Sequence, residues 1–163
     1  MIKATKRFVS ALTIFTLLIS VSAFLAPQAQ SKSDVIKKDG DYLLYANGIV
    51  KDKKTGLEWK AGPDRDMDWN EARSWVQSLN LDGGGWRRPS MDELEGLYKK
   101  GAGNRNMTPL LKTTIWYVWS GETHGQNNST VSGFFRFNAG EPYWSYRFYK
   151  KPRAFAVRSR SDG

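Results

Sequence analysis

Aromatic rings and cationic groups, the side chains that most often hold other molecules, alternate along residues 142–150, PYWSYRFYK. An extended strand sends successive residues to opposite faces, so Trp144, Tyr146 and Phe148 share one side while Tyr143, Ser145, Arg147 and Tyr149 share the other. The first set is expected to feed the core and the second to form a wet surface. Rigid rings give contact area and small polar groups give hydrogen bonds, which suits a surface of Tyr, Ser and Arg to ligand binding. From residue 120 onward there are seven basic residues against three acidic ones. Arg136, Tyr143, Arg147, Tyr149 and Lys150 are therefore the candidate ligand-binding residues. His124 and Asn127 join them from the Gly- and Asn-rich loop GETHGQNNST. The bland alternative is a sheet with one wet face whose arginines only solvate it.

Other constellations read as structure. Trp86, Arg87, Pro89 and Glu93 could suggest an acid–base pair or an anion clamp beside the glycine run Gly83–Gly85. A simpler reading accounts for each: Glu93 caps a helix, Pro89 begins it, Trp86 packs, and Arg87 pairs a carboxylate. The glycine run lacks the Lys-Ser/Thr that a phosphate loop needs. Asp64, Asp66 and Asp68 alternate as in a calcium loop, but the sixth and twelfth positions from Asp64 are Trp69 and Trp75, where Gly and Glu are required. No catalytic residue and no metal ligand set is assigned. No cofactor is expected, calcium being the one ion left open. His124 is the single imidazole and the chain has no Cys, so thiol chemistry, Cys-ligated zinc, iron–sulfur clusters and disulfides are all excluded.

The elements that would position these residues follow from periodicity. Residues 42–62 contain two β-type runs punctuated by Asn47-Gly48 and Thr55-Gly56, a hairpin. In DWNEARSWVQSLN, Ala72, Trp75, Val76 and Leu79 recur at helical spacing, with Asp68 and Glu71 as a capping box. Ser90 and Glu93 repeat that device before a second helix that buries Leu94, Leu97 and Tyr98. Beyond Thr113 come four short β-prone runs joined by polar turns, an antiparallel meander. The expected fold is α+β, two helices packed on antiparallel sheets. Trp59, Trp75, Trp86 and Leu94 are expected to share one core joining the hairpin to both helices.

The 163 residues carry a formal net charge of +9 with seven Trp, seven Tyr and eight Phe, enough for one domain with an ample core. Lys3, Lys6 and Arg7 precede an uncharged apolar run over residues 8–26 and small residues at Ala29 and Ser31, the pattern of a secretory signal peptide over residues 1–31. An uncleaved anchor is the alternative, and only then would the membrane be a partner. Either way the expected location is secreted or periplasmic. Residues 32–41 read as a linker, 42–160 as the domain and 161–163 as a tail. From residue 31 on, 22 basic residues face 16 acidic ones, a balance of +6 that favours an acidic partner. Nucleic acid would fit the charge but conflicts with export.

Three strings, GIVKDKKTGLEW at 48–59, GGWRRPSMDELEGLY at 84–98 and FAVRSR at 155–160, resemble the Lcl C-terminal domain family. The resemblance covers about residues 42–160 and implies a C-type-lectin-like fold, distantly related to the formylglycine-generating enzymes. It also implies extracellular binding and adhesion, including to sulfated polysaccharides, or variable display in a diversity-generating retroelement. Glu141-Pro142 is followed by Tyr143, so the calcium motif of lectins is missing, and formylglycine-generating chemistry requires the cysteines this chain lacks. The expected function is a non-catalytic, exported module whose partner is an anionic polysaccharide or another surface protein, with self-association left open. An extracytoplasmic enzyme of unknown reaction is the alternative.

Overall fold

A computed structural model describes residues 34–124 and 130–159. The expected signal segment, Asn127 and the tail lie outside them. Eight strands form one sheet: β1 (Val35–Asp39), β2 (Tyr42–Tyr45), β3 (Val50–Asp52), β4 (Leu57–Ala61), β5 (Tyr117–His124), β6 (Val131–Arg136), β7 (Glu141–Tyr146) and β8 (Arg153–Ser159). Helix α1 spans Trp69–Ser78 and α2 spans Met91–Leu97. The sheet order is β1-β2-β3-β4-β8-β5-β6-β7, antiparallel throughout except where β8 runs parallel to β5. The fold is α+β, without disulfides.

Residues 35–39, read as linker, are strand β1, paired with β2 from Val35↔Tyr45 to Asp39↔Tyr42. Pairing uses backbone groups and needs no apolar side chains, and an outermost strand with exposed lysines is how sheets guard their edges. The expected hairpin is three strands, because the Thr55-Gly56 turn reverses the chain a second time. Asp52 directs that turn: its carboxylate accepts from Lys54 N–H at 2.9 Å and from the Thr55 hydroxyl at 2.7 Å. Gly56 follows at φ +75°.

The meander holds for β5, β6 and β7, but β8 crosses back to the middle of the sheet, between β4 and β5. Its side chains are buried on both faces from Arg153 to Arg158, which only a central strand can satisfy. Phe155 and Val157 pack with Trp59, Leu94, Leu97, Val118 and Phe135 on the α2 side. Ala154 and Ala156 face the α1 side. There one cluster gathers Trp69, Ala72, Trp119 and Phe134, and a second gathers Tyr45, Ile49, Val76 and Trp86. The single core expected around Trp59, Trp75, Trp86 and Leu94 is thus divided by the sheet. Leu94, on α2, packs with Trp59, while Trp75, on α1, packs with Trp86.

Both capping boxes form. Asp68 accepts from Asn70 and Glu71 N–H, and Glu71 accepts from Asp68 N–H at 2.8 Å. Ser90 and Glu93 exchange the same pair of bonds at the start of α2.

Candidate functional site

The constellation around Glu93 is structural in its contacts. The Arg87 guanidinium meets Glu93 as a two-pronged fork at 2.7 and 2.6 Å, and Glu93 also accepts from Ser90 N–H at 2.8 Å. Hydrogen bonds from Arg87 hold the Glu93 carboxyl below the usual carboxylate range, aided by Ser90 and opposed by burial. Trp86 Nε1 donates to the Leu81 carbonyl at 2.9 Å, and buried Pro89 offers its own carbonyl to Gly121 N–H at 2.8 Å.

The turn that leads into the glycine run wraps a cation rather than an anion. Arg158, almost fully buried, donates to the carbonyls of Leu81, Asp82 and Gly84 and to the carboxylates of Glu58 and Asp82, while lying 4.4 Å above the Trp86 ring. A phosphate cradle turns N–H groups inward; this loop turns oxygens inward, toward the protein's own guanidinium. Asp64 and Asp66 serve Arg153 in a similar way, at 2.7 and 2.6 Å. Burial would raise the Asp64 carboxyl, but hydrogen bonds from Arg153 and Thr114 outweigh it and hold it low. Among the described residues no three His, Asp or Glu side chains gather as metal ligands.

On β7 and the turn after it, the alternation is real but the covered side differs from expectation. Trp144, Tyr146 and Phe148, read as core, are exposed, with Phe148 at 72% and stacked on Tyr146 at 5.3 Å. Alternation tells which residues share a face, not whether anything covers it. β7 is the outermost strand, and α2, seven residues long, covers only the part of this face near Met91 and Gly133. On the other face Tyr149 is half-buried and stacked on Phe134, and Tyr143 packs against the same ring at 5.2 Å.

The candidate ligand residues divide accordingly. Arg136, Tyr143, Arg147 and Tyr149 lie together on the α1 face, with Arg136 ion-paired to Glu141 and 4.6 Å over the Tyr143 ring. Lys150 borders them, within 4.0 Å of Glu71. His124 is on the α2 face, its ring 4.9 Å from Trp144. Asn127 is outside the described residues.

Three residues absent from the candidate set complete this face. The Trp69 indole, buried and donating to the Ser120 carbonyl at 3.2 Å, carries the Arg88 guanidinium at 3.7 Å and that of Arg147 at 4.3 Å. These distances place the two charges within about 8 Å of each other, a repulsion of roughly 2 kcal/mol at an effective dielectric of about 20. Burial pushes the Arg88 guanidinium down to about 10, and the charges of Arg73 and Arg147 push the same way. Arg88 Nη1 is buried without a hydrogen-bond partner. Trp69 heads α1 with its backbone N–H bound to the Arg147 carbonyl, so helix and strand end are fixed to each other at this point. The tandem Arg87-Arg88 before Pro89 was the available signal, since two adjacent residues of extended chain face opposite ways and only one can reach Glu93.

No curated protein matches the chain. The family model of the Lcl C-terminal domain matches residues 48–159, from the turn between β2 and β3 through the capped helices to the end of the central strand, and the chain belongs to that family.

Proposed function

We propose that this protein is an exported, non-catalytic binding module that holds an acidic glycan or a protein surface through its C-terminal aromatic and basic strands. The observation that carries the reading is the outward display of Tyr143, Trp144, Tyr146 and Phe148, with arginines beside them. Large apolar rings left in water beside cations are the usual makings of a sugar-stacking or partner-binding surface. The charged start and apolar run of residues 1–31 support export. The family resemblance, which implies a C-type-lectin-like architecture and a habit of extracellular binding, supports the same reading.

The test is binding of the protein to a panel of sulfated, uronate-containing and neutral polysaccharides. Replacing Tyr146 and Phe148 together by Ala should weaken binding at least about tenfold, the equivalent of ~1.4 kcal/mol. The melting temperature should stay close to wild type, because both rings are exposed. Unchanged affinity in that double variant, or no binding to any member of the panel or to a surface protein, would overturn the proposal.

A further inference from the structure

Among the described residues, Arg65, Arg87, Arg136, Arg153 and Arg158 each reach a carboxylate. Arg73, Arg88, Arg105 and Arg147 reach none; of these, Arg88 and Arg147 lie over one indole, that of Trp69, and the charge of Arg73 bears on Arg88. Like charges gathered without a counter-ion oppose folding, and a buried guanidinium N–H left unbonded opposes it further. The repulsion falls when an anion enters.

We infer that Arg88 and Arg147, held over Trp69, together with Arg73 on the neighbouring helix, form a binding site for an oxyanion, presented as a sulfate ester or a carboxylate. The inference rests on the proposed function for the molecule that carries the anion, and on the side-chain geometry for the site itself. The placement of Arg88 and Arg147 is fixed before a ligand arrives. Arg147 Nε is tied to the hydroxyl of buried Ser132 at 3.1 Å, which leaves its two terminal amino groups as donors. Arg88 holds its guanidinium carbon 3.7 Å from the indole centroid, with Nη1 unpartnered. Arg73 stands exposed on α1, from which it contributes charge and a movable fork. Guanidinium forks match the paired oxygens of carboxylate and sulfate, and clamped side chains lose little further freedom on binding.

The experiment titrates the protein with sodium sulfate, and separately with glucuronate, at constant ionic strength maintained with chloride. Melting temperature and tryptophan fluorescence are read together. Saturable stabilisation with a change in indole emission is expected. Arg73→Gln, a surface change that leaves packing alone, should raise the half-saturating concentration about tenfold, the scale of one charge-assisted bond. Arg147→Gln should do at least as much, and Lys99→Gln, which removes the same charge just past α2, should do nothing. Equal titrations in wild type and both arginine variants, or an equal loss in Lys99→Gln, would overturn the site. A response to sulfate alone identifies a sulfate ester, and a response to glucuronate alone a carboxylate. If polysaccharide binds with no arginine-dependent anion response, the site is wrong and the proposed function stands. If the anion response is present and no polysaccharide or protein binds, the reverse holds.

Discussion

Arg158 shows how much one side chain can organise. All three of its nitrogens donate to oxygens contributed by β4 and by Leu81, Asp82 and Gly84, and Glu58, at 1% exposure, has been taken out of water with it. Removing the cation strands that carboxylate, so Arg158→Met is expected to cost about 3–5 kcal/mol in urea unfolding. Arg158→Lys should recover less than half of it, because one ammonium cannot reach both Glu58 and three carbonyls. Glu93 gives a contrasting, smaller effect. Its folded pKa is depressed, so its contribution is present above the unfolded value of about 4.3 and is lost as pH falls through the lower folded value. Comparing Glu93→Gln with wild type across that range should show a gap of at most ~1 kcal/mol at neutral pH, Arg87 being half exposed, that closes in acid. The capping role of Glu93 was legible because its partner is three residues away. The Arg158 partner Glu58 is 100 residues away, and no local pattern could have named it.

At the scale of elements, the central strand decides the architecture. Ala154 and Ala156 keep the α1 face of β8 low, which lets the helix bring Ala72 and Val76 close to the sheet. Ala156→Leu should therefore force the helix away and cost about 1–3 kcal/mol, measured as a lower unfolding midpoint at unchanged urea dependence. Helix positions and the first turns were legible, since capping boxes and 3.6-residue periods are local signals. The place of β8 was not. Its run FAV reads equally as a fourth meander strand, and only the demand to bury both faces moves it to the middle. The edge strands erred in opposite directions: polar β1 passed for linker, and aromatic β7 passed for half-buried. Strand pairing alone holds an edge, so side-chain character there reports function or solubility rather than packing.

For the whole molecule, the sign of the charge and where it is left uncompensated bear on binding together. The +6 balance from residue 31 on sets a long-range attraction for acidic partners, but five of the nine arginines among the described residues already pair with a carboxylate. On the α1 face, Arg73, Arg88 and Arg147 lie close together near Trp69 with no carboxylate partner among the described residues. Raising salt from about 0.1 M to about 1 M shortens the screening length from about 10 Å to about 3 Å, which removes the long-range part and weakens the local part. Affinity for a sulfated polysaccharide should accordingly fall steeply over that range. Treatment with EDTA should leave it unchanged, because the attraction proceeds through guanidinium groups. The joint replacement of Arg147 and Lys150 by Ala should abolish most of the binding. Arg147 should account for the larger share, since Lys150 is already within 4.0 Å of Glu71. Binding that is insensitive to salt and lost with EDTA would point instead to a metal-bridged contact, and would require the acidic pair Asp64 and Asp66 to leave Arg153.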